Sequence, residues 1–224
     1  MKKCRDYYGF YRLSSTPLAE RRVGEARSQL PPGQAGFTLI ELMMVLVLVA
    51  ILLGVGGPSF QSSLQRNRLQ TAVNSVATAL SFARAEAVIR SEPVAICPTV
   101  DTASCSGSNW ETGWLIFVDN GAGGGGAASD GTLNGAEELL RIGEPAGQGV
   151  TVRTVNFPST ANIVFQDTGR VLQNISGTVT VCDARGVNDA RALIVEVSGQ
   201  ARRAVDTDAN GVVEDDTVTS VACP

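Results

Sequence analysis

The 224-residue sequence contains no histidine. That absence excludes Ser-His-Asp and Cys-His nucleophilic arrangements, which need an imidazole to accept the nucleophile's proton. It also removes the commonest zinc ligand, and the cysteine spacings fit no zinc site. No phosphate-binding glycine motif occurs, and the acidic residues cluster on turns without a pattern that pairs two in a pocket. Catalysis is therefore not expected. Lysine is confined to Lys2 and Lys3, so the chain from Phe37 onward has 11 Arg, no Lys and 19 acidic residues, a net charge of −8. Such a body lacks the clustered positive charge on which broad nucleic-acid binding relies. Aromatics are sparse while Gly, Thr, Val and Ala abound, a composition suited to β-structure with many turns.

What is present begins with Gly36-Phe37-Thr38-Leu39-Ile40-Glu41, followed by Leu42 to Gly57 without another charge. This is an apolar helix of membrane length with one carboxylate near its start. From Phe37 to Gly57 it would span about 31 Å of helix, matching the hydrocarbon thickness. A carboxylate inside hydrocarbon costs roughly 2.5–3.5 kcal/mol, so Glu41 reads as functional. A secretory signal places its apolar core before the cleavage site. Here residues 1–36 hold no long apolar run, and the apolar segment follows the glycine.

That order, with Gly36-Phe37-Thr38-Leu39-Ile40-Glu41 itself, resembles the class III signal of type IV pilins and type II secretion pseudopilins. The resemblance implies removal of a leader, residues 1–36, by the prepilin peptidase, with cleavage between Gly36 and Phe37. It further implies N-methylation of Phe37, and a helix kink at Pro58, where many relatives have a proline. A buried carboxylate needs a partner, and Leu42–Gly57 offers none. The free α-amine of a cleaved Phe37 in a neighbouring subunit would serve, which makes Glu41 an assembly residue that sets axial register.

Residues 1–36 carry seven basic and three acidic residues, a balance of +4. The positive-inside rule keeps that end cytoplasmic and sends the body outward. The expected topology is a single pass through the cell inner membrane: transmembrane helix 37–57, amphipathic stalk 58–92 and periplasmic β-rich head 93–224. In the stalk, Leu69, Val73, Val76, Leu80, Ala83 and Ala87 are spaced by three and four, one stripe on a helix. Pro93 ends the helix near Arg90 or Ser91.

Beyond Pro93, short apolar runs bounded by turn residues recur: Pro93–Pro98, Gly113–Asp119, Glu138–Ile142, Val150–Thr154, Asn162–Gln166, Gly177–Cys182, Ala192–Val197 and Ala201–Val205. Asp167–Gly169 and Ser198–Gln200 read as hairpin turns. The Gly121–Gly126 stretch inside Asn120–Gly135 is expected to be a flexible loop, too polar and glycine-rich to pack. The fold class is α+β, a long N-terminal helix packed on one or two antiparallel sheets.

Loss of the leader would discard Cys4 and leave Cys97, Cys105, Cys182 and Cys223, an even number suited to an oxidising compartment. Of three pairings, the favoured one joins Cys97 to Cys105, closing a short loop, and Cys182 to Cys223, pinning the C-terminal tail. In the chain-entropy model these bonds contribute about 2.6 and about 3.9 kcal/mol. Asp206-Thr207-Asp208-Ala209-Asn210-Gly211 resembles the start of an EF-hand loop, with Asp206, Asp208 and Asn210 as calcium candidates. Its twelfth position is Thr217 rather than the closing glutamate, with Glu214, Asp215 and Asp216 nearby, so a solvated acidic turn is the preferred reading.

The head resembles the GspH/FimT group of minor pilins and pseudopilins. The residues concerned are Cys97-Pro98 with Cys105, Trp110, Gly113–Asp119, Leu139-Leu140-Arg141, Phe165 with Gly169, Val181–Gly186 and Ala192–Gly199. Trp110 and Trp114 are expected to be packing residues. The resemblance implies a pilin fold and assembly, through the N-terminal helix, into the filament of a type II secretion system or type IV pilus. Its implied partners are other major and minor pilins or pseudopilins, the prepilin peptidase and the inner-membrane assembly platform. The alternative is a FimT-like minor pilin that binds DNA during uptake, with Arg202 and Arg203 as contacts and Arg185 and Arg191 near them. The acidic residues that follow at Asp206, Asp208 and 214–216 would repel phosphate.

Overall fold

The computed structural model describes residues 36–158 and 161–224. The leader expected over 1–36 lies outside the described residues except for Gly36. Helix α1 spans Leu39–Arg90. The side chains of 55–59 are also outside the described residues, and with them the kink expected at Pro58. By contact pattern the chain divides after Val49. The first unit contributes the start of α1, and the second contains the rest of the helix and the head.

Among the described residues, no helix is long and apolar enough to cross a membrane. The apolar stretch with described side chains, Leu39–Gly54, reaches about 24 Å, short of the roughly 30 Å of hydrocarbon. The expected span 37–57 continues into residues outside the described set.

The C-terminal half of α1 follows its stripe. Leu69, Val73, Val76, Leu80, Ala83 and Ala87 are all buried, joined by Ala72 and Ala79. The helix stops in a Schellman arrangement. Ser91 takes a left-handed conformation (φ 55°), and the Glu92 N–H donates to the Ala87 carbonyl at 3.3 Å. Pro93 then begins the extended chain.

Eight strands follow: β1 Val94–Pro98, β2 Trp114–Val118, β3 Leu139–Gly143, β4 Val150–Val155, β5 Ile163–Phe165, β6 Gly177–Asp183, β7 Arg191–Val195 and β8 Ala201–Arg203. Each falls within one residue of an apolar run marked from the sequence or inside it. They form two four-stranded sheets, in the orders β3-β2-β1-β5 and β4-β6-β7-β8. Every pairing is antiparallel. The helix stripe, Val94, Ile96 and Ile116 of the first sheet, and Val152, Val179, Val181, Leu193 and Val195 of the second share one core. Trp110 and Trp114 are buried in it. Each fully buried aliphatic side chain of this kind contributes about 1.5–3 kcal/mol.

The first sheet is buried on its other face too, through Ala95, Cys97, Leu115, Phe117 and Val164. Part of the cover is Leu133, from the glycine-rich loop. Leu133 lies beyond the Gly121–Gly126 stretch expected to be too polar to pack, of which residues 123–126 are exposed. Asp119 and Glu137, both buried, stand at the two ends of the loop. Asp119 Oδ2 accepts from the Gly131 N–H at 2.8 Å and Oδ1 from the Asp130 N–H at 3.3 Å. Glu137 accepts from the N–H groups of Gly121 (2.9 Å) and Asn134 (2.8 Å). The loop is ordered by backbone donors turned onto two carboxylates, so an absence of apolar side chains does not leave it unpacked.

Both expected turns are present and are tied to the helix by one side chain. Arg84 Nε donates to the carbonyls of Gly169 and Ser198, each at 3.1 Å. A Cβ on Gly199, whose φ is +77°, would lie 2.0 Å from the Gly169 carbonyl oxygen. Only glycine permits that approach.

Candidate assembly site and the charged groups of the head

The helix that carries Glu41 is begun by its neighbour. Thr38 accepts the Glu41 N–H at 3.3 Å through its hydroxyl, and its carbonyl takes the first helical bond from the Leu42 N–H at 3.1 Å. Thr38 is thus the N-cap and Glu41 the third helical residue, where a negative charge suits the helix dipole. The sequence carried this signal as Thr-x-x-Glu ahead of an apolar run, and only the role of Glu41 was drawn from it. Phe37 is 84% exposed, and the large apolar side chains from Leu39 to Leu53 are exposed around the whole helix circumference. A helix that is apolar on every side requires lipid or neighbouring protein around it. Among the described residues, none would touch a Cβ placed on Gly36.

Cys97, Cys105, Cys182 and Cys223 are paired as favoured. Cys97 and Cys105 are joined with Cα atoms 5.6 Å apart, and Cys182 and Cys223 with 5.9 Å. The second bond belongs to a small apolar cluster with Val221, Val212 and Val213 that holds the C-terminal tail on the second sheet.

The arginines named for DNA contact are placed differently from one another. Arg202 pairs with Glu196 at 2.8 Å, and Arg203 donates to Asn74 Oδ1 at 3.0 Å. Arg185 is held by Asp183 at 2.7 Å and Asp189 at 2.8 Å. Burial pushes the Asp183 carboxyl up, but the bonds from Arg185 outweigh it and hold it below the usual carboxylate range. Arg191 donates to the backbone carbonyls of Ala190 and Asp189. Arg202 and Arg185 are thus each met by carboxylates, while Arg203 and Arg191 are bonded to neutral oxygens.

Asp119 behaves in the opposite way. Burial, opposed by the Gly131 N–H and reinforced by the negative charges of Glu137 and Asp130, pushes its carboxyl up to about 6. Nothing in the local sequence distinguished Asp119 from the other acidic turn residues.

Of the calcium candidates, Asp206 and Asp208 lie together, and the third carboxylate beside them is Glu214. Asn210 is bonded within the loop, its side-chain nitrogen donating to Asp208 (2.9 Å) and Ser220 (3.0 Å). Thr217, at the twelfth position, bonds Asp215 instead.

The model of the type II transport protein GspH family matches residues 72–201, more than half of the chain. The chain belongs to that family. The prokaryotic N-terminal methylation motif matches residues 31–57, which brackets Gly36–Glu41. GspH-type chains are structural pilin or pseudopilin subunits and not enzymes.

No curated protein matches the chain. Among solved structures it is similar to the type IV minor pilin FimU of Pseudomonas aeruginosa. The identity is 22% and the TM-score 0.47, over 62% of this chain and 90% of that one. A second crystal form of FimU gives 20% identity and a TM-score of 0.44, over 60% and 90%. The minor pseudopilin EpsH from the type 2 secretion system of Vibrio cholerae gives 12% identity and a TM-score of 0.41, over 61% and 95%.

Proposed function

We propose that this GspH-family chain is a minor pseudopilin or pilin subunit that assembles through its N-terminal helix. The filament is the pilus-like fibre of a type II secretion system or a type IV pilus. Cleavage between Gly36 and Phe37 by the prepilin peptidase releases the leader, and Phe37 is N-methylated. The segment 37–57 holds the subunit in the inner membrane, with the head on the periplasmic side, until the assembly platform passes it into the filament. The observation that carries this reading is the helix start. Thr38 caps α1, whose exposed apolar stretch from Leu39 to Leu53 contains one charge, Glu41, in its first turn. A carboxylate there has no partner in its own apolar segment, and the amine of a neighbouring Phe37 supplies one.

DNA capture is not adopted. Arg202 is already paired with Glu196 and Arg185 with two aspartates, and the mature chain is acidic.

The test is Glu41→Val in cells that express the matching assembly system. The variant should be cleaved and inserted as the wild type is, while its content in sheared filaments falls to background. Wild-type incorporation by the variant would remove Glu41 from the mechanism.

A further inference from the structure

We infer that the loop Asp206–Glu214 is a calcium site whose closing ligand is Glu214. Asp206, Asp208 and Glu214 each bring a carboxylate oxygen within 4.8 Å of the other two. Oxygens bound to one calcium ion, each 2.3–2.6 Å from it, stand up to roughly 5 Å apart, so the three carboxylates are spaced on the scale of a shared ion.

The observation that points to a ligand is the state of Glu214. Its side chain belongs to a residue 4% exposed. One oxygen, Oε2, accepts the Thr207 N–H at 2.8 Å. The other, Oε1, is buried with no hydrogen-bond partner among the described residues. An unpaired buried carboxylate oxygen is costly, and the carboxylate it belongs to sits beside two more. Among the described residues no arginine forms an ion pair with Asp206, Asp208 or Glu214. A divalent cation would relieve both the missing partner and the repulsion.

The surrounding loop holds the ligands in place. Asp206 accepts the N–H groups of Asn210 (3.2 Å) and Gly211 (2.8 Å) on separate oxygens. Asp208 accepts the Asn210 N–H at 3.0 Å and its side-chain amide at 2.9 Å. Gly211 turns the chain with φ +89°. Counted from Asp206, Glu214 is the ninth residue, so the loop closes three residues before Thr217. Asp215 and Asp216 take no part, because they bind Thr217, Thr219, Asn156, Ser176 and Thr178. The donor set is all oxygen, which suits calcium and not a metal that prefers nitrogen or sulfur. Two of the three carboxylates are exposed, leaving room for water to complete the shell. The ion would tie the exit of β8 to the tail that Cys182–Cys223 already holds.

The experiment uses the full chain in detergent micelles, stripped of divalent ions and titrated with calcium chloride by calorimetry and thermal unfolding. One calcium should bind per chain with Kd in the range of about 10⁻⁴–10⁻³ M, as in extracellular modules. At ten times Kd, Tm should rise by roughly 4 °C. Glu214→Gln should weaken binding on the order of tenfold or more, while in calcium-free buffer its Tm equals or exceeds that of the wild type. Asp206→Asn, at an exposed position, should weaken binding similarly and decides the matter if Glu214→Gln does not fold. No heat and no Tm shift at 10 mM calcium would overturn the site. So would an equal response to magnesium, or an unchanged calcium response in the folded variants.

Discussion

Asp119 makes the stability of this protein depend on pH in the direction opposite to most carboxylates. Its carboxyl is raised from 3.8 to about 6 by burial at the end of the glycine-rich loop. The folded state therefore binds a proton that the unfolded chain has already lost, and stability must rise as pH falls through this range. With these two values the linkage gives about 1.3 kcal/mol between pH 7 and pH 5, a gain in Tm of roughly 4 °C for a chain of this size. The window is clean because the chain contains no histidine. Asp183, Asp215 and Glu111 are held below their ordinary values. Their contributions are present above about pH 4.5 and are lost only as pH falls further. Thermal unfolding of the full chain in detergent, from pH 7.5 to pH 4.5, should show Tm climbing as pH falls through the range around 6. Asp119→Asn should flatten the climb, since the amide has no proton to gain. A Tm that falls steadily from pH 7 to pH 5, or an equal climb in Asp119→Asn, would refute the assignment.

Gly199→Ala places a Cβ 2.0 Å from the Gly169 carbonyl at a left-handed φ, so a loss of at least about 2 kcal/mol is expected in chemical denaturation. A variant of wild-type stability would mean that the two turns do not meet as described. Cys223→Ser opens a loop closed across 41 residues and should cost about 3.9 kcal/mol in the chain-entropy model. Limited proteolysis should then cut first in the C-terminal tail, and an uncut tail would show that the apolar cluster suffices to hold it.

The elements that depend on local pattern were legible from the residues alone. The stalk stripe from Leu69 to Ala87 is a periodicity of the helix itself, and each of its six residues is buried. The strands follow because a short apolar run and its bounding turns leave a signal within a few residues. The segment around the Gly121–Gly126 stretch, from Asp130 to Glu137, left no such signal for the complementary reason. Its order comes from backbone N–H groups, which every residue has and no composition reveals.

Gly36–Glu41 and the head motifs fixed the family, since processing signals and core patterns are written consecutively along the chain. What only the tertiary structure decided is where separated charges end up. Arg84 meets carbonyls 85 and 114 residues away, Asp119 is buried under a loop, and Glu214 joins Asp206 and Asp208 with one oxygen unpaired. A charge takes its meaning from its partner and its burial, and both are set by chain segments that folding, not sequence proximity, brings together.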